Sequence, residues 1–184
     1  IGENKFRQGI RIYLKKFYEK NTVLEDFLSC MSQASGVDIV GWSRQWLLTT
    51  GVNTLKPETT ESACSIEQIP SAENNQIRDH AILYESYEIT DGKPTISDSG
   101  KVFVFGKRVE ISLKSESQFL LLNARDHDYT KVFFRDEDME FISENVTAIE
   151  DRFTRRIIWG NLWQMVRDNA LSPIQFLELI EKHS

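Results

Sequence analysis

Apolar residues never run far enough in this sequence to cross a bilayer, which takes about 18 in succession, so no membrane-spanning helix is expected. The first residues, IGENKFRQG, are charged and lack the long apolar core of a secretory leader. Cysteine is scarce. Cys30 and Cys64 are too few for a disulfide scaffold and suit a reducing, cytoplasmic setting, with a single pairing between them left open. Positive charge is also in deficit: 22 Lys and Arg face 28 Asp and Glu, for a net charge of −6. Nucleic-acid binding usually leaves a clustered basic footprint, so no nucleic-acid partner is expected. Ile1 is not a natural start, and the sequence is expected to be a segment of a longer chain.

Catalytic motifs are missing as well. The histidines are His80, His127 and His183. None forms H-E-x-x-H, in which two histidines one helical turn apart hold zinc and the glutamate activates water. The cysteines make no C-x-x-C, and there is no G-x-S-x-G and no glycine loop for phosphate. The densest polar stretch is Asn123–Tyr129, NARDHDY. Asp126, His127 and Asp128 are ligand types, but neighbours along a loop do not easily converge on one ion. The stretch reads as a polar loop joining two strands. Arg155-Arg156 is a pair that can grip a carboxylate or phosphate, though it also suits a solvated helix face.

What is present is a chain of 184 residues, 40% hydrophobic and 27% charged, enough for one or two small globular domains. Three segments differ in pattern. From about 3 to 50 the period is helical: Phe6, Ile10, Tyr13, Leu14 and Phe17 recur on one face. Thr22 with Glu25 predicts a capping box, Gly36 a left-handed helix end, Asp38 an N-cap and Gly51 a helix stop. Trp42 and Trp46, one turn apart, read as core packing, and so do Trp159 and Trp163.

From about 53 to 134, β-rich runs take over: 66–69, 81–89, 102–105, 109–113, 119–122 and 131–134. Turn signals at Asn74-Asn75, Asp91-Gly92 and Gly106-Lys107 separate them. This predicts a small antiparallel sandwich with Phe103, Val104, Phe105, Ile111, Leu113, Leu120 and Leu122 in its core. The 102–105 strand is expected to be buried on both faces. From about 136 helices return, with acidic residues at the first start and Ser172-Pro173 as N-cap and N1 of the last.

Several motifs recur in a definite order: Ser35-Gly36-Val37-Asp38, Trp42, Trp46-Leu47, Gly51-Val52-Asn53-Thr54-Leu55, Leu121-Leu122-Asn123, Tyr129, Lys131-Val132 and Trp159 through Asp168. In that order they resemble the zinc aminopeptidase N family, in its bacterial, actinomycete-like branch, downstream of the active site. The resemblance implies an α+β fold in three parts. Residues 1–53 would be the C-terminal helices of a thermolysin-like catalytic domain, 54–135 a small antiparallel β-sandwich, and 136–184 the start of a helical C-terminal domain. It implies zinc in the parent protein but outside this chain, and peptide substrates through the parent. It also implies a missing catalytic domain packed on 1–53, or self-association of the isolated segment. The family's zinc motif, G-A-M-E-N motif and catalytic tyrosine all precede this stretch. No catalytic, cofactor-binding or metal residue is therefore assigned here, and the chain alone is expected to be inactive. The alternative is a non-catalytic interaction or scaffold module.

Overall fold

The computed structural model describes residues 1–59, 64–114 and 117–183. The chain is α+β and divides into two compact units, Ile1–Thr50 and Gly51–Ser184.

The first unit holds α1 (Glu3–Lys16), α2 (Leu24–Ser35) and α3 (Ile39–Trp46). Gly9 lets α1 and α2 approach closely: a Cβ there would lie 2.5 Å from the Met31 sulfur. Tyr13 lies tilted against Phe17 and edge-on to Phe27, each at 5.6 Å. Leu28, Met31 and Ile39 form the buried cluster, with Ile10 and Phe27 against it. Gly36 ends α2 in the left-handed region (φ 71°), and Asp38 caps α3 by accepting from Val40 N (2.9 Å).

Three local expectations change. The N-cap of α2 is Val23, whose N–H donates to Asp26, while Thr22 hydrogen-bonds the Tyr13 hydroxyl instead. Gly51 lies beyond α3, which ends at Trp46 with Leu47 as its cap. Trp42 is 45% exposed rather than core, because the short helix turns that face outward.

In the second unit, β1 (Thr54–Thr59), β2 (Cys64–Ile69), β5 (Arg108–Ile111) and β7 (Lys131–Val132) form one sheet in the order β5-β2-β1-β7. Its β1–β7 pair is parallel and its other pairs antiparallel. The second sheet, β4-β3-β6, joins β3 (His80–Thr90), β4 (Lys93–Val104) and β6 (Phe119–Leu122), all antiparallel. Asp91 and Gly92, both at positive φ, make the two-residue turn between β3 and β4 that matches strand twist.

Three helices follow: α4 (Asp136–Asn145), α5 (Arg152–Arg167) and α6 (Pro173–Lys182). Ser172 caps α6 by accepting from Ile174 N at 3.2 Å. Leu55 and Ile66 of one sheet, Ile82 and Leu122 of the other, Ile142 of α4, Ile158 of α5 and Leu179 of α6 belong to one continuous core. Strands and helices of this unit thus share their apolar interior.

The strand buried on both faces is β6, not 102–105. All four residues of Phe119–Leu122 are sealed, and Phe119 stacks on Phe141 of α4 at 5.1 Å. Since β4 is a sheet edge, only its inward residues are covered. Val104 is fully buried, whereas Phe103 and Phe105 stand 53% and 62% exposed, stacked on each other at 6.0 Å. Ile111 and Leu113 are half-buried against the core rather than within it. Trp163 is likewise outside the core, packed on Phe176 at 5.7 Å.

Candidate functional site

The polar stretch Asn123–Tyr129 leaves β6 and returns into β7, and its backbone is unusual. Asn123, Arg125 and Asp126 all have positive φ (53°, 64° and 51°). Asparagine and aspartate tolerate that region better than most residues; Arg125 does not, and needs its side chain held. The Arg125 guanidinium pairs with Asp151, which caps α5, and sits 3.4 Å from Glu85 on β3. Glu85 in turn accepts from the Tyr87 hydroxyl at 2.6 Å. Burial foremost, then this carboxylate, pushes the Tyr87 phenol well above its ordinary range.

Asp128 closes the loop. The Asn123 amide donates to the Asp128 carbonyl (2.8 Å) and accepts from its N–H (2.9 Å). The Asp128 carboxylate accepts from Ala81 N (2.8 Å), Tyr129 N (2.8 Å) and the buried ring of His80 (3.2 Å). Burial raises the Asp128 pKa, but the donors from His80, Ala81 and Tyr129 outweigh it and hold the acid below the usual carboxylate range. His127 and Asp126 are both exposed and take no part in the hydrogen bonds that join the Asp128 carboxylate to His80, Ala81 and Tyr129.

A second buried polar group lies beside it. Arg78 is 1% exposed and donates to Asn53. Gln68 accepts from Arg78 N and donates to the Arg78 and Gly106 carbonyls, each at 2.9 Å. Asn53 also donates to Gln76 O (2.7 Å), and its own carbonyl accepts from Thr130 (2.9 Å) and Lys131 N (3.0 Å). Asn53, Gln68, Arg78 and His80 were not legible as a group; the one signal was the block Gly51–Leu55 that contains Asn53.

His183 caps α6 and contacts Ser143 O, remote in role from His80 and His127. Among the described residues no group of three or more His, Cys, Asp or Glu is placed to hold a metal. These residues do not fit a catalytic zinc, and no zinc step is assigned to them. Cys30 and Cys64 are both free and buried, in different units. Burial raises the Cys64 thiol, against the lowering effect of Arg135. No described helix is long and apolar enough to cross a membrane.

The second unit carries several clefts, among them two of the size of a small-molecule site. One, of about 760 Å³, lies among Lys56, Phe133, Met139, Glu140, Met165 and Lys182. The other, of about 580 Å³, brings Asp126, Tyr129 and Lys131 together with Arg156, Trp159 and Asn161 of α5.

No protein-family profile matches the chain. It is 28% identical, over a 204-residue alignment, to aminopeptidase N of Streptomyces lividans. The alignment takes in 98% of this chain but 23% of that protein. The relation to that protein is therefore distant and partial, and the chain spans about a quarter of its length.

Proposed function

We propose that this chain is a non-catalytic segment of a zinc-dependent aminopeptidase, a parent that removes N-terminal amino acids from peptides. The observation that carries the reading is the alignment with the Streptomyces protein, which runs through nearly the whole chain. In the parent, zinc bound elsewhere supplies Lewis-acid activation of water. This segment acts by position: residues 1–53 close the catalytic domain, 54–135 form a two-layered spacer, and residues from 136 onward open a helical domain.

Exposed apolar side chains support such docking. In the first unit, Ile10 and Tyr13 are engaged with α2 and Phe17 packs on Tyr13, while Phe6, Leu14, Trp42, Leu47 and Leu48 face outward. These, not the Ile10–Phe17 stripe, are the residues we assign to the catalytic domain. On α6, Ile174, Leu177 and Ile180 are exposed, as is nearby Trp163, and further helices of the parent cover them.

The test is zinc analysis of the full-length protein together with hydrolysis of amino-acid arylamides. Stoichiometric zinc and turnover are expected for the parent, and no release above buffer for the 184-residue chain. Turnover with bound zinc in the chain alone overturns the proposal. A full-length protein with neither zinc nor turnover makes the chain a scaffold module instead.

A further inference from the structure

The 580 Å³ cleft has the size of a small-molecule site, and its walls carry charges that the protein itself leaves unbalanced. Lys131 is neutralised by Asp168 at 2.6 Å. Arg156 is not: among the described residues nothing accepts from its guanidinium, and its contact is the Phe153 ring at 5.9 Å. The Asp126 carboxylate likewise meets no cation among the described residues, although its backbone is held at φ 51°. One unpaired cation and one unpaired anion therefore share the cleft with Tyr129 and with Trp159, whose ring is steadied edge-on by Phe176 at 6.0 Å. Asn161, which lines the same wall, has a covered side-chain nitrogen without an acceptor.

The wall has a second feature. Gly160 lies inside α5, where glycine is less favourable than alanine. A Cβ added there would meet nothing within 4 Å. Packing in this state does not demand glycine. The missing side chain keeps the helix backbone open to whatever enters the cleft.

We infer that this cleft binds a free aromatic α-amino acid as its zwitterion. Arg156 takes the carboxylate with its two-pronged fork, Asp126 takes the ammonium, and the side-chain ring lies along Trp159 and Tyr129 over Gly160. The site lies wholly within Gly51–Ser184 and does not depend on the zinc chemistry proposed above.

The test is calorimetric titration of the full-length protein with L-phenylalanine after metal has been removed by a chelator, so that a zinc-centred site elsewhere does not contribute. Binding is expected to survive chelation. Phenylacetate, which lacks the ammonium, and phenethylamine, which lacks the carboxylate, should each bind at least about tenfold more weakly, the effect of one lost charge-assisted contact. Arg156→Gln should lose about tenfold or more by the same reasoning. Gly160→Ala should lose comparable affinity while its melting temperature stays level or rises, which separates a blocked cleft from a damaged fold. No heat after chelation, or unchanged affinity in both variants, overturns the site. Phenylacetate or phenethylamine binding as well as phenylalanine overturns the zwitterion assignment.

Discussion

The two units of the chain differ in how large a core they seal for themselves. Gly51–Ser184 folds two sheets and three helices around one core, with Leu55, Ile82, Leu122, Ile142, Ile158 and Leu162 all fully sealed. Ile1–Thr50 seals Leu28, Met31 and Ile39, yet leaves Phe6, Leu14, Tyr18, Leu47 and Leu48 between 48% and 72% exposed. Helices gain most of their stability from tertiary packing of an amphipathic face rather than from propensity. The second unit supplies that packing to most of its elements, although Ile174 and Leu177 of α6 stay exposed; the first supplies it to one side only. Compactness in the contact sense is therefore not the same as self-sufficiency.

The largest effect expected from this contrast is an outright difference in folding. Residues 51–184 made alone should unfold cooperatively, with a stability of roughly 5–15 kcal/mol. Residues 1–50 made alone should be largely unfolded or self-associated, because each large side chain left exposed forgoes about 1.5–3 kcal/mol of burial. Circular dichroism melts and a sizing column read both. A cooperative, monomeric 1–50 would show that its small buried cluster suffices, and would remove the reason for assigning it a partner.

A single core substitution sharpens the comparison next. Leu122→Ala empties a fully buried position on a strand covered on both faces, and should cost about 2–5 kcal/mol. Hydrogen exchange should show the loss across β3, β6 and α4, which share that core, while protection in α1–α3 stays as it was. Loss of protection in both units together would mean that they unfold as one.

Legibility in the sequence follows the same division between local and tertiary causes. Gly36, Asp38, Asp91-Gly92 and Ser172-Pro173 act through their own backbone or the next few residues, and each does in the structure what its type suggests. The run Phe119–Leu122 is apolar throughout and is indeed a fully buried strand. What local pattern does not convey is edge position. The Val102–Phe105 run is as apolar as β6, but β4 has a neighbour on one side only, so Phe103 and Phe105 reach solvent. Most of β4 is hidden for the opposite reason: Pro94, Asp98 and Gly100 are residue types depleted in strands, and the long pairing with β3 overrides them. Buried polar partners are hidden too, since Asn53 and Arg78, or Asp126 and Arg156, gain meaning only once the fold has brought them together. Asp126, Tyr129, Arg156 and Trp159 were each visible singly; their shared cleft was not.

A smaller effect tests the polar stitching of the second unit. Asp128→Asn turns one of the two accepting oxygens, which between them serve Ala81, His80 and Tyr129, into an amide donor, and should cost about 1–3 kcal/mol at neutral pH. The sign with pH follows from the depressed acid. Its contribution is fully present above the unfolded carboxylate value of about 3.9 and is lost as pH falls through the lower folded value. Urea midpoints of the native and variant chains should differ at pH 7 and converge as pH falls below about 4. A gap that widens toward acid would contradict the role given to the Asp128 carboxylate as a hydrogen-bond acceptor.

The smallest effect on stability is also the most direct probe of the outward face of the first unit. Leu14 is 60% exposed and Leu48 66% exposed. Replacing both with glutamine removes little that is buried in this chain, so the unfolding midpoint should move by no more than about 0.5 kcal/mol per site. Association should respond much more. Large apolar side chains exposed in this way suit contact surfaces, and a polar amide placed in such a contact is left without its water. If the isolated chain self-associates through this face, the double variant should shift its sedimentation profile toward monomer at unchanged stability. In the full-length protein the same double variant should loosen the first unit alone, seen as faster exchange in α1–α3 with β3 and β6 unaffected. A stability loss of several kcal/mol in the isolated chain would instead place Leu14 and Leu48 inside a contact made by the chain itself, and the contrast between the two units would then be one of degree.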